Sequence, residues 1–151
     1  MTRWLDDTEQ HAWRGYLRMQ GKLSARLNRQ LQTDSGLSLA DFDVLVHLTD
    51  VADARVRVSE LARALQWEKS RLSHHVARME RRGLVAREEC ADDGRGAFVV
   101  LTPQGRTAIE GAAPPHVETV RGLVFDMLTP EQVRVLGEIS ELVLARIDAD
   151  E

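Results

Sequence analysis

Between Ser59 and Thr102 the hydrophobic periodicity switches from helical to extended, in the order short helix, turn, basic helix, strand, Gly-rich tip, strand. SELARAL sets Leu61, Ala62 and Leu65 on one face of a short helix, with Ser59 available as its N-cap. Gln66 and Trp67 make the turn. The second helix, Glu68 to Arg82, ends at Gly83, the residue type best able to take the left-handed conformation that closes a helix. Met79 and Leu84 stand where the apolar contact of such a closure forms. At about 100° per residue, Leu72, Val76 and Met79 make a narrow apolar stripe, while Ser70, His74, Arg78 and Arg81 lie near the opposite side with Arg71 beside them. LVAREEC and AFVVLT are Val-rich extended runs separated by ADDGRG, where Asp93-Gly94 is a strong hairpin signal because glycine accepts the positive φ of a tight turn. Arg95 falls at or beside the tip. This order predicts a winged helix-turn-helix, a fold mainly α with a small β-wing.

The flanking sequence predicts further helices. Asp7 to Thr33 carries Trp13, Tyr16, Leu17, Leu23, Leu27 and Leu31 at three- and four-residue steps and runs out at Thr33-Asp34-Ser35-Gly36, which predicts a long amphipathic helix. Ser38 caps a second helix to Leu48, with Phe42, Leu45, Val46 and Leu48 placed for burial. After a turn, Arg55-Val56-Arg57-Val58 alternates as a short strand able to pair with the wing. A helix from Gln104 towards Ala113 is expected to kink or break at Pro114-Pro115, because two backbone donors are missing and helical geometry is disfavoured before each proline. Thr129-Pro130 marks the start of a last helix to about Ile147, whose stripe of Val133, Leu136, Ile139, Leu142, Val143 and Ile147 needs a cover.

Charge is distributed unevenly. The 151 residues carry a net charge of −4, yet Arg55 to Arg87 holds nine Lys/Arg against three Glu, leaving +6 there and −10 elsewhere. A basic segment on an acidic chain is the electrostatic footprint of a nucleic-acid reader. No apolar run approaches the 18 or so residues of a membrane span, and MTRWLDDTEQ lacks a signal-peptide core, so a cytoplasmic protein without membrane contact is expected. Cys90 is the single cysteine, which excludes an intramolecular disulfide, and no Cys/His spacing suits a structural metal. Neither a nucleophile with its base nor a phosphate loop or paired catalytic carboxylates can be read; the expectation is a protein that is not an enzyme and holds no cofactor.

The stretch WEKSRLSHHVARMERRGLVAREECADDGRGAFVVLTPQG resembles the MarR family of bacterial transcriptional regulators, most specifically in RMERRGLV at 78–85, DDGRG at 92–96 and VLTPQG at 100–105. The similarity extends from about Asp6 to Ile147. It implies a single domain over residues 1–151, with the DNA-binding winged helix at about 38–103 and dimerisation helices at 7–33 and 104–147. It further implies an obligate homodimer on a pseudo-palindromic double-stranded operator. By the same resemblance Lys69, Ser70, Arg71, Ser73 and His74 lie in the reading half of the recognition helix, although Glu68 stands where many relatives carry Asp or Ser and His74 where Arg is common. Arg71 has the chemistry for a bidentate contact to guanine, and Arg78 and Arg81 suit phosphates. Asp93-Gly94-Arg95 matches a wing element in which the arginine enters the minor groove and the aspartate orients it.

The resemblance also implies a small lipophilic or phenolic effector that releases a repressor from DNA, with Trp13, Tyr16, His47 and His116 as candidates to line its site. His75, near the apolar flank of its helix, is expected to pack at the edge of the core. Two alternatives stand beside this reading: a winged-helix protein-interaction module without specific DNA binding, and a thiol-based redox sensor acting through Cys90, which lacks a resolving partner.

Overall fold

The computed structural model describes residues 1–89 and 96–151. Expectations for Cys90, Asp93, Gly94 and Arg95 lie outside the described residues. Two compact units make up the chain, Met1–Pro114 and Pro115–Glu151.

In the first unit, α1 (Asp7–Ser35) opens with a reciprocal capping box, Asp6 accepting from the Glu9 amide and Glu9 from the Asp6 amide, and closes at Gly36 with φ 69°. Ser38 and Asp41 form the same box at the start of α2 (Leu39–Asp50). Asn28 on α1 accepts from the Leu39 amide at 2.8 Å, tying the two helices. A 3₁₀ turn at Ala52–Ala54 leads into β1 (Arg55–Arg57), α3 (Val58–Leu65), α4 (Lys69–Arg81), β2 (Val85–Glu89) and β3 (Ala97–Leu101). The three strands form one antiparallel sheet in the order β1-β3-β2, with Val56 opposite Val99 and Val85 opposite Leu101. The fold is mainly helical with a small sheet, as the hydrophobic periods predict.

Three expectations need correction. Ser59 does not cap α3: the cap position falls two residues earlier, at Arg57, with the helix starting at Val58 and no side-chain cap bond. Pairing of β1 with β3 places Val58, 3% exposed, in the core, and this tertiary burial sets the helix start. On α2, Val44 is fully buried, whereas Val46 is only half-buried. Pro114-Pro115 does not end its helix, since α5 runs from Pro103 to Leu123. Each proline ring fixes φ near the helical value and removes one amide donor, so the carbonyls of Glu110 and Gly111 lack their i+4 donors while the helix continues; the expected break is absent. The boundary between the two units nevertheless falls between these prolines.

The core of the first unit gathers Leu31 from α1, Leu45 and Leu48 from α2, Leu61 from α3, Leu72, Val76 and Met79 from α4, and Val99 from β3, all fully buried. Ile109 and Ala112 of α5 complete it. Each fully buried Leu, Val or Met contributes about 1.5–3 kcal/mol relative to exposure, so the apolar stripe of α4 holds that helix firmly by one side. The second unit contains the end of α5, a 3₁₀ turn at Phe125–Met127 and α6 (Pro130–Asp150). Thr129 caps α6 in a box with Gln132, and no residue of α6 is buried. Among the described residues no helix is long and apolar enough to cross a membrane.

Candidate nucleic-acid interface

The sequence folds α3 and α4 around a turn made by Gln66, which takes φ 58° and ψ 41°. The left-handed conformation is costly for a residue with a side chain, and local bonds hold it: the Gln66 side-chain amide donates to the Arg63 carbonyl at 2.9 Å, and the Trp67 amide to the Ala62 carbonyl at 2.9 Å. α4 ends in a full Schellman closure. The Leu84 amide donates to Met79 O at 3.1 Å, the Gly83 amide to Glu80 O at 2.9 Å, Gly83 has φ 79°, and Met79 and Leu84 are both buried.

With Leu72, Val76 and Met79 anchored, the opposite side of α4 faces solvent. Lys69, Ser70, Arg71, His74, Arg78 and Arg81 are exposed there, and Ser73 is half-buried. No acidic residue lies in the first turn within the helix, so its amide-bearing end carries only the flanking Glu68, which makes no cap bond. The guanidinium of Arg71 lies 4.4 Å from the ring centroid of Trp67, a cation–π contact that steadies it at the helix start. On the sheet, Arg55 and Arg57 approach the Phe98 ring at 3.8 and 4.7 Å, and Arg55 pairs with Glu88 at 3.2 Å.

Beneath this face lies a polar cluster that no local sequence signal announces. Asp41 on α2 is 3% exposed and accepts from the Ser38 amide at 2.9 Å and from Arg82 Nη1 at 2.7 Å. His75 Nε2 of α4 lies 2.8 Å from Asp41 Oδ1, a close polar contact outside ideal hydrogen-bond alignment. Burial pushes the Asp41 carboxyl up, but the bonds from His75, Arg82 and the Ser38 amide, with the Arg82 charge, outweigh it and hold the group well below the usual carboxylate range. Arg82 also donates to Gly36 O at 2.9 Å. His75 packs edge-on against Trp67 with centroids 5.4 Å apart, and its Nδ1 lies 3.1 Å from Arg78 Nη2. The expected core-edge position of His75 is therefore observed, together with a buried partner that the sequence does not reveal.

The wing returns to the core through Thr102, whose amide donates to Leu84 O at 3.3 Å and whose hydroxyl accepts from the Gly105 amide at 2.9 Å. The same hydroxyl lies 2.6 Å from Gly83 O. A Cβ on Gly105 would sit 2.0 Å from Leu84 O, so VLTPQG is a turn that brings α5 directly onto the entry to β2.

The effector candidates lie on three helices, α1, α2 and α5. Trp13 and Tyr16 stack on one another along α1, with centroids 5.8 Å apart and about half their surface exposed. His47 is half-buried on α2, whereas His116 is half-buried in the second unit, where burial lowers its pKa. A shallow recess along α1 is lined by Asp7, Gln10, His11, Arg14, Gly15 and Arg18, and includes none of the four.

The MarR-family sequence profile matches residues 35–96. In solved structures, AbsC, a MarR family transcriptional regulator from Streptomyces coelicolor, is 41% identical and superposes with a TM-score of 0.91 over 98% of this chain and 99% of its own. Sco3205, a MarR family regulator from the same organism solved in complex with DNA, is 44% identical with a TM-score of 0.91 over 95% of this chain and 90% of its own. The transcriptional repressor MprA of Escherichia coli K12 is 27% identical over 132 residues, 87% of this chain and 74% of MprA. Identity above 40% with the fold shared from end to end, together with the profile match across the helix-turn-helix, establishes that the chain belongs to the MarR family and is a transcriptional regulator, not an enzyme.

Proposed function

We propose that the chain is a sequence-specific DNA-binding repressor that acts as a homodimer and leaves its operator when a small lipophilic or phenolic effector binds. The observation that carries this reading is the two-sided character of α4: Leu72, Val76 and Met79 are fully buried, while Lys69, Ser70, Arg71, His74 and Arg78 stand exposed on the other side. A helix anchored in this way can enter the major groove with Arg71 directed at guanine O6/N7, Ser70, Ser73 and His74 at neighbouring edges, and Arg78 and Arg81 at phosphates. Arg95, oriented by Asp93, would reach the adjacent minor groove from the wing. The relatives lend support, since Sco3205 was solved with DNA and MprA is a repressor. Trp13, Tyr16, His47 and His116 remain the proposed effector-contacting residues, and the cytoplasm the proposed location.

Selection of duplexes from a random library tests the reading. Wild type should recover a pseudo-palindromic motif, and Arg71→Ala should lose about 1–3 kcal/mol per half-site and accept other bases at one position of each half, as expected when a bidentate pair is removed. Recovery of the same motif at the same affinity by the mutant would remove Arg71 from base reading. Failure of the wild type to select any motif would instead favour a protein-interaction module.

A further inference from the structure

Asp41 occupies a position where a carboxylate is costly to bury, yet it contacts α4 at two points about two turns apart, His75 and Arg82. Arg82 bonds it on the solvent side and continues to Gly36 O, which fixes the end of α4 against the α1–α2 junction. His75 carries the contact in the other direction. A guanidinium can only donate, so Arg78 Nη2 at 3.1 Å makes His75 Nδ1 an acceptor and leaves the ring proton on Nε2, facing Asp41. The same ring meets Trp67 edge-on, and Arg71 lies over Trp67. A buried carboxylate on α2 is thereby linked through one imidazole to the two arginines assigned above to base and phosphate.

We infer that Asp41 is a positioning residue for the DNA-reading face: through His75 it fixes the tautomer that accepts Arg78 and the ring edge that seats Trp67 beneath Arg71. This inference rests on the proposed role of α4 in reading DNA. Removing the carboxylate frees the imidazole to turn, and both arginines then sample orientations unsuited to their contacts. Asparagine at position 41 keeps the shape but has one carbonyl oxygen to face three donors, the Ser38 amide, Arg82 and His75.

The test uses the full chain and the duplex that wild type recovers from a random library, with each variant's thermal midpoint recorded alongside. Asp41→Asn should lower affinity about tenfold or more in the wild-type background but less than about twofold in an Arg71→Ala/Arg78→Ala background, a coupling within the range of contacting networks. His75→Gln leaves the Asp41–Arg82 pair in place and should reproduce most of the loss with little change in thermal midpoint. Long-range nitrogen–proton spectra of wild type at neutral pH should show His75 as the Nε2–H tautomer, and Asp41→Asn should mix the tautomers. Equal losses in both backgrounds, or wild-type affinity in His75→Gln, or an Nδ1–H tautomer in wild type, would each overturn the inference. If Arg71→Ala and Arg78→Ala themselves leave binding unchanged, the reading of DNA by α4 fails, which is a distinct result.

Discussion

Asp41 carries a stability term with a defined pH window. Its folded pKa is depressed, so its contribution is complete above about pH 5 and drains away as pH falls through the unfolded carboxyl value of about 3.9 towards the lower folded one. Asp41→Asn should therefore cost about 2–3 kcal/mol near neutrality, the worth of bonds to a buried charge, and the gap between wild type and mutant should narrow on acidification below about pH 4. Urea titrations of both proteins between about pH 7 and pH 3 measure it; a gap that stays constant would show that the carboxylate charge is not what stabilises the fold. This residue also marks a limit of sequence reading. Gly83, Met79 and Leu84 were legible because a Schellman closure is local, confined to adjacent turns of one helix. The Asp41–Arg82 bond joins residues 41 positions apart, and nothing in SLADFDVL distinguishes a buried aspartate from a capping one; Asp41 is both.

At the scale of elements, helix ends with side-chain caps were legible at Ser38 and Thr129, and those set by packing were not. α3 starts at Val58 because strand pairing buries that residue, and α5 continues through Pro114-Pro115, where local sequence signals for a stop are overridden. The junction of wing and α5 depends on a missing side chain. With the Leu84 carbonyl 2.0 Å from where a Cβ would stand, Gly105→Ala must shift α5 or the start of β2, and neither can move without disturbing buried Leu84 or Ile109. The substitution should cost about 3 kcal/mol or more, visible as a lower urea midpoint, whereas Gly111→Ala, with open space around it, should be neutral or slightly stabilising. Equal midpoints for the two variants would mean that the close approach carries no energetic weight. The wing itself is tested by salt: Arg95→Ala should weaken binding to the selected duplex and reduce the slope of log affinity against log salt by up to about one per subunit. Asp93→Ala should do the same more mildly, and an unchanged slope and affinity would exclude Arg95 from DNA contact.

On the scale of the whole molecule, the outstanding feature is apolar surface that the chain does not cover by itself. Ile139, Leu142, Val143 and Ile147 of α6 are 53%, 73%, 53% and 48% exposed, and Trp13, Tyr16, Leu17 and Met19 of α1 are each about half exposed. A helix with no buried residue draws little stability from tertiary packing, and capping alone supplies only about 1 kcal/mol. Contiguous apolar faces of this kind mark interfaces in proteins of this size. The stripes were legible from periodicity; what covers them was not, since an apolar stripe specifies burial and not the identity of the covering surface. A second copy of the chain is the proposed cover, and the interface should be obligate in character, apolar and extensive. Light scattering at micromolar concentration should then give twice the 17.0 kDa chain mass. Placing charges in the stripe with Ile139→Asp/Leu142→Asp should yield monomer, lower the thermal midpoint and abolish binding to a two-half-site duplex, because each helix-turn-helix then holds a single half-site without its partner's contacts. A variant that remained dimeric with an unchanged thermal midpoint would place the subunit contact away from α6.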